Sequence, residues 1–253
     1  MNHNAAPDSA LQQLRMVLVE TSHPGNIGSA ARAMKVMGLR QLALVQPRHF
    51  PHAEATALAS GAHDVLAAAQ VCDDLDQALA DSRLVLGTSA RLRSLAWPQL
   101  DVREAAALAL REAAQGPVHV LFGREKSGLS NEELQRCHYL VHIPTADDYS
   151  SLNLSQAVQV FSYELRMAAL LNHQPVVAPA DYQPVSAARM ESLFTHLEQA
   201  LLALRFLDPT HPKRLMMRLR RLLLRARPDD NEYNILRGIL SAIEKNNPTV
   251  GGD

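Results

Sequence analysis

Arg15-Met16-Val17-Leu18-Val19 opens the stretch that decides the fold, and Gly25-Asn26-Ile27-Gly28, Ala30-Ala31-Arg32-Ala33-Met34 and Leu42-Ala43-Leu44-Val45 complete it. The first run is short and apolar and reads as a buried strand. Ile27, Ala30, Met34 and Met37 then recur near helical spacing, and Gly38 supplies a C-terminal stop. Leu42 to Val45 is a second apolar run of strand length. Strand, helix and strand in succession predict a crossover between parallel neighbours.

The alternation continues along the chain. Leu84-Val85-Leu86-Gly87, Val118-His119-Val120-Leu121-Phe122 and Tyr139-Leu140-Val141-His142-Ile143 read as further strands. Between them, Ala53 to Ala69 reads as helix with a break at Ser60-Gly61, Leu75 to Ala80 as a short helix, and Val102 to Ala114 as a helix started by Asp101 and stopped by Gly116-Pro117. Ser130 and Glu133 have the spacing of a capping box, and Leu154, Val158, Phe161 and Leu165 share one face of a long helix. Residues 15–170 are therefore expected to form an α/β domain with a mostly parallel sheet, in which ligands sit beyond the C-terminal strand ends. Pro175, Pro179 and Pro184 mark residues 172–187 as a linker. Three helical segments follow, roughly Ala188–Leu207, Lys213–Arg227 and Asn231–Lys245, separated by Pro209, Pro212 and Pro228. The expected organisation is a domain at 1–171, the linker, and a small helical domain at 188–253.

Composition bounds the function. Hydrophobic residues make up 47% and charged residues 20% of the 253 positions, a globular balance. The net charge of −1 excludes a polybasic chain, but its distribution is uneven: 13 Lys/Arg face 17 Asp/Glu up to residue 165, and 12 face 9 beyond it. Cys72 and Cys137 lack metal-type or disulfide-framework spacing. The histidines do not cluster and no HExxH occurs, so no metal is expected. The first ten residues are polar, and no run of about 18 apolar residues exists, so a soluble cytoplasmic protein without a membrane partner is expected.

Three segments carry candidate chemistry. Gly25 to Gly28 lies between strand and helix, where glycines let backbone approach a ligand and helix-start N–H groups attract anions; Asn26 also suits a plain N-cap. Arg32, one turn further, reads either as a solvated arginine or as a phosphate contact. Gly123 to Gly128 has phosphate-loop spacing after a strand, but Leu129 stands where that loop requires lysine, which leaves a glycine loop suited to an uncharged ring. Glu125 is expected to pair with a neighbouring cation such as Arg124 or Lys126. Ser150, Ser151, Asn153 and Ser155 are more small polar residues than one helix cap needs. In the tail, Arg214, Arg218, Arg221 and Arg225 fall on one helix face beside Leu215, Leu219, Leu222 and Ala226, a pattern that suits an RNA backbone or, alternatively, a dimer or anionic-membrane surface.

Taken in order, these segments resemble the three motifs of the SpoU branch of the SPOUT methyltransferases. They are Asn26-x-Gly28-x-x-x-Arg32 with Gly38, then Phe122-Gly123-Arg124-Glu125-x-x-Gly128-Leu129, then Ile143-Pro144 with Ser151-Leu152-Asn153-Leu154-Ser155. Val19-Glu20-Thr21-Ser22-His23 and Asn234-Ile235-Leu236-Arg237-Gly238-Ile239-Leu240 resemble the subgroup that 2′-O-methylates cytidine or uridine in tRNA. The resemblance implies an α/β fold with a C-terminal trefoil knot, a homodimer, and S-adenosylmethionine held by Thr88, Ser89, Ala90, Gly123, Ile143, Ser150, Ser151 and Leu152. It implies catalysis by Arg32, Ser151 and Asn153 without metal, with Arg32 of one subunit serving the other, on nucleotide 32 of the tRNA anticodon loop. Arginine side chains keep their proton at ordinary pH, so orienting the ribose-phosphate suits Arg32 better than acting as base. Ribosomal RNA as substrate, and a catalytically silent RNA-binding protein of the same fold, are the competing expectations. Asp147 and Asp148 are acids where RNA is expected, which sets that loop apart.

Overall fold

A computed structural model describes residues 8–89, 97–146, 148, 150–171, 184–210 and 214–246. The chain divides into two compact units, Met1–Val176 and Val177–Asp253. In the first, the order is α1 (Asp8–Leu11), β1 (Leu14–Val19), α2 (Pro24–Val36), β2 (Gln41–Val45), α3 (Ala53–Ala59), α4 (His63–Ala67), β3 (Gln70–Cys72), α5 (Leu75–Leu79), β4 (Leu84–Thr88), β5 (Gln99–Asp101), α6 (Val102–Ala113), β6 (Val118–Phe122), α7 (Asn131–Leu134), β7 (Tyr139–His142) and α8 (Leu154–Leu170).

The seven strands form one sheet, ordered β3-β2-β1-β6-β4-β7-β5, with every neighbouring pair parallel. β1 lies inside the sheet, with Val17 opposite Ala43 of β2 on one side and Leu121 of β6 on the other. Parallel strands covered on both faces read as continuous apolar runs, and all five residues of β6 are buried. The chain leaves β1 in one direction for β2 and later returns to its other edge as β6. Ligands in parallel sheets bind where the strand order reverses in this way, and the loops after β1 and β6 carry two of the three motif segments.

Helix α8 packs on both α2 and α6 and buries Leu154, Val158, Phe161 and Leu165, the face expected from their spacing. Phe161 meets Phe122 edge-on, with ring centroids 6.2 Å apart. The capping boxes Asp101/Glu104 and Ser130/Glu133 are both formed. The break in the alanine-rich stretch also falls where expected, with Ser60 and Gly61 at φ 41° and 90°. Three elements were not anticipated: α1, β3 and β5. The two strands are three-residue edge strands with mostly accessible side chains, too short and too polar to leave a period-2 signature.

Helix α2 starts three residues earlier than its apolar spacing suggests, with Pro24 in its first turn and His23 at the cap. Asn26 is thus inside the helix and is not its N-cap. The glycines also serve a different purpose from close ligand approach. A Cβ on Gly28 would lie 2.1 Å from the Ala55 carbonyl oxygen of α3, and one on Gly25 would meet the Glu54 and Leu58 side chains. Both glycines allow two helices to touch.

The second unit holds α9 (Ala187–Ala203), α10 (Leu215–Ala226) and α11 (Asp230–Asn246). Ser186 caps α9. Arg189 of α9 lies 4.3 Å over the Tyr233 ring and pairs with Asp230 of α11. The inward face of α10 differs from the apolar row read from the sequence. Leu224 is its buried residue, while Leu222 is 49% exposed. Arg220 accompanies Leu224 inward, stacked 4.4 Å over Phe194 and bonded through both amino groups to Glu191 at 2.8 Å. An arginine stem and guanidinium thus replace the aliphatic contact that the leucine spacing implied.

Candidate active site

The loops after β1, β6 and β7 converge on one carboxylate. Glu125 follows β6, and its Oε1 accepts from the His23 backbone N–H at 3.2 Å and from Asn26 Nδ2 at 3.0 Å. Its Oε2 accepts from the Ser22 backbone N–H at 3.2 Å and the Ser22 hydroxyl at 2.9 Å. The chain continues through Asn26 Oδ1, which accepts from Asn153 Nδ2 at 3.0 Å. Residues 127 positions apart in sequence are joined by this bond. Glu125 therefore does not pair with Arg124 or Lys126 as expected; it takes neutral donors. Burial opposes its charge, but the Asn26 amide and the backbone N–H groups outweigh that and hold its pKa down to about 2.

Arg124 makes a second clasp beside the first. Its guanidinium bonds Glu133 at 3.0 Å through both terminal nitrogens, and it also bonds Glu20, where the chain leaves β1 at φ 46°. These bonds raise the Arg124 pKa further and lower that of Glu20. Arg124 and Gly128 exchange backbone bonds of 3.2 and 2.9 Å, folding the 123–128 loop back on itself. A Cβ at Gly123 would stand 2.1–2.5 Å from Gly128 and Leu129 backbone atoms, so only glycine closes this turn.

Against this loop lies a cavity of about 220 Å³. Thr88, Ser89, Gly123, Ile143, Ser150, Ser151 and Leu152 all line it, so seven of the eight residues expected to hold a cofactor share one wall. Ala90, the eighth, lies outside the described residues, as do Asp147 and Tyr149. Leu129 and Val141 are buried and add apolar surface, and the Thr88 hydroxyl donates to the Leu121 carbonyl at 2.9 Å. Beside the charged Arg124, Glu125 and Lys126, the lining offers aliphatic side chains and backbone groups that suit a neutral, flat ring such as adenine.

The three residues expected to act in catalysis stand differently. Asn153 caps α8, with Oδ1 accepting from the Ser155 N–H at 2.9 Å and its hydroxyl at 2.7 Å, while Nδ2 reaches Asn26. It is a cap and a cross-link at once. Ser151 is exposed at the cavity mouth. Arg32 is exposed two turns along α2 and lines neither this cavity nor a second one nearby. That second cavity, about 690 Å³, shares the Arg124–Ser127 wall and is otherwise lined by residues after β1 and β2, including Arg48, His49 and His52. The loop after β2 has no motif spacing by which the sequence could have revealed it. No group of His, Cys, Asp or Glu able to hold a metal ion occurs among the described residues.

In the second unit, Arg218 and Arg225 are exposed and Arg221 half-buried along α10, and Arg214 sits exposed at its N-cap in left-handed conformation, φ 59°. The stripe lies beside, and not on, the face that carries Arg220 into α9.

Residues 13–163 match the SpoU rRNA Methylase family, and residues 188–250 match the C-terminal domain of the tRNA methyltransferase TrmJ. The chain is 53% identical over 236 residues to a tRNA (cytidine/uridine-2′-O-)-methyltransferase TrmJ from Sodalis glossinidius, covering 92% of each chain. Among solved structures it is similar to TrmJ from Z. mobilis ZM4, with 32% identity, a TM-score of 0.80, and coverage of 91% of this chain and 98% of that one. A probable methylase family protein from Haemophilus influenzae Rd KW20 is 45% identical, with a TM-score of 0.62 over 93% of this chain and 97% of that one. The matches cover residues 13–163 and the helical tail together, and the chain belongs to the SpoU methylase family, in its TrmJ branch.

Proposed function

We propose that this protein transfers a methyl group from S-adenosylmethionine to the ribose 2′-hydroxyl of cytidine or uridine in tRNA, at nucleotide 32 of the anticodon loop. The observation that carries the reading is the Glu125 clasp, which ties the three motif loops together at the edge of the 220 Å³ cavity. Gly123 and Ile143 with Leu152 would hold the adenine ring, and Thr88, Ser89, Ala90, Ser150 and Ser151 the polar parts. When bound, S-adenosylmethionine supplies an electrophilic methyl carried on a sulfonium.

The chain's own residues do the positioning. Asn153 is held by Asn26 and by the first turn of α8, so it presents a fixed edge beside the cavity. Ser151 is free to hydrogen-bond the ribose, and Arg32 offers a planar fork for its phosphate and 2′-oxygen. Alignment of this kind contributes several orders of magnitude in rate. Arg32 is exposed and does not line the cavity of its own chain, which fits service to a partner subunit. Val36 on α2, Tyr163 and Leu170 on α8, and Leu171 at its C-cap expose apolar surface near that arginine's helix, which supports a homodimer. The reading includes the trefoil knot of the family at the β4, β6 and β7 edge, and a cytoplasmic location, which the two buried free thiols suit. It also divides the labour: the 1–171 domain for chemistry, and the helical 188–253 domain, with Arg214, Arg218, Arg221 and Arg225, for the tRNA backbone.

The test is transfer of labelled methyl from S-adenosylmethionine to purified tRNA and ribosomal RNA, with nucleoside mapping. Label on 2′-O-methylcytidine or 2′-O-methyluridine at tRNA nucleotide 32 is expected. Absence of transfer to any RNA, with the cofactor bound, overturns the enzyme reading; label confined to ribosomal RNA overturns the substrate. Arg32→Ala is expected to lower kcat by at least about a hundredfold with cofactor affinity retained, and full activity removes its assigned role.

A further inference from the structure

The loop after β2 has no part in the motifs, yet it forms one wall of the second cavity. It is rigidly held. The Arg48 N–H donates to the Thr21 carbonyl at 3.1 Å, the Gln46 side chain donates to the Asp73 carbonyl at 2.6 Å, and Phe50 packs on the core. Arg48, His49 and His52 project from this frame as exposed side chains. Among the described residues the Arg48 guanidinium has no hydrogen-bonded partner. His52 Nδ1 accepts the Glu54 N–H at 3.2 Å, so Nε2 carries the ring's proton and points it outward as a donor. Lys126 faces the loop from the partition that separates this cavity from the 220 Å³ one.

Three acids line the same space, and two of them are already engaged. Glu20 is bonded to Arg124, and both oxygens of Glu125 are taken by donors. Glu54 lies against Gly25 in the first turn of α2, where the helix dipole favours an anion. What remains open to a ligand is a set of donors: Arg48, whose charge also acts on Glu20 without a hydrogen bond, Lys126 and the His52 ring N–H. Donors of this kind, in a groove separated from the cofactor wall by one loop, match a phosphodiester.

We infer that Arg48, His52 and Lys126 form a subsite for a backbone phosphate of the RNA beside the methylated nucleotide, which sets how the target ribose enters the neighbouring cavity. The inference rests on the proposed methyl transfer to RNA. The residues touch substrate backbone and not the reacting atoms, so they are positioning residues. Arg48→Ala disturbs no hydrogen bond of the fold and should leave the melting profile unchanged.

The experiment uses the full chain and a tRNA transcript whose methylated nucleotide has been mapped with the wild-type protein. If the wild type transfers no methyl, the functional reading fails and not the subsite. Given transfer, Arg48→Ala and Lys126→Ala are each expected to raise KM for tRNA about tenfold, leave the dissociation constant for S-adenosylmethionine unchanged, and reduce the salt dependence of tRNA binding by about one phosphate contact. Arg48→Lys should recover part of the loss. A neutral methylphosphonate at the phosphate on one side of the target should weaken the wild type to the level of Arg48→Ala and leave that variant unaffected. An unchanged KM and salt slope in both alanine variants overturns the subsite. So does a loss confined to cofactor affinity, which would assign the groove to the cofactor, or a methylphosphonate effect of equal size in both proteins.

Discussion

The strand-end loops and the α10 helix handle charge in opposite ways. At the cavity edge the two clasp charges are answered: Glu125 by Ser22, His23 and Asn26, and Arg124 by Glu20 and Glu133. On α10, Arg220 is locked over Phe194 and onto Glu191, while Arg218 and Arg225 stand in solvent. The first arrangement fixes geometry, since each bond removes a degree of freedom before substrate arrives. The second keeps its cations available and fixes little. A catalytic edge needs the former and an electrostatic grip the latter, and the two should respond differently to mutation and salt.

The largest effect should come from breaking the clasp. Glu125→Ala leaves four donors without an acceptor and frees Asn26 and Asn153 from their common line. Misplacement of a site by about 1 Å costs roughly a hundredfold in rate, and that loss is expected in kcat at saturating tRNA; a change seen only in KM would show that the clasp does not set the geometry. Next comes the stripe. Changing Arg214, Arg218 and Arg221 together to Ala should weaken tRNA binding at low salt by roughly tenfold or more and flatten its salt dependence by two to three phosphate contacts, at about 0.9 or less per contact. An unchanged slope would assign that face to protein contact, and the contrast with the clasp would fail.

A third change separates packing from chemistry. Gly28→Ala places a methyl against the Ala55 carbonyl and should cost about 1–3 kcal/mol of stability by overpacking, read as a lowered denaturation midpoint. A wild-type midpoint would mean that α2 and α3 part without penalty. The smallest effect is in acid. The folded Glu125 pKa, near 2, lies below the ordinary carboxylate value of 4.5. Its contribution is therefore complete above about pH 4.5 and is lost as pH falls toward 2. Glu125→Gln should be less stable than wild type at neutral pH, with the gap closing through that window; a gap independent of pH would place the carboxylate's worth elsewhere.

The fold was legible where burial imposes a period. The runs at 15–19, 42–45, 84–87, 118–122 and 139–143 all became strands of a parallel sheet, and the Leu154–Leu165 face of α8 is the buried one. Edge strands β3 and β5 have little to bury and so left no pattern. Seven residues named from the sequence line one cavity, but the contacts around it were not legible. Nothing in the spacing distinguishes a Glu125 that pairs with cations from one that gathers neutral donors, because its partners lie about 100 positions away. Gly28 was misread for a similar reason, since a glycine required by a neighbouring helix looks the same as one required by a ligand. Arginine spacing on α10 identified the exposed stripe, but Arg220 shows that a cation can replace a leucine on the inward face.

Asn153 holds the Ser155 amide through one atom and Asn26 through another. Unwinding the first turn of α8 therefore loosens the residue that carries one of the ties between α2 and the motif loops. Exchange of the Ser155 amide with deuterated solvent becomes a gauge built into the backbone. Its protection should rise and fall with the fraction of molecules whose three loops are assembled, readable without cofactor, RNA or turnover.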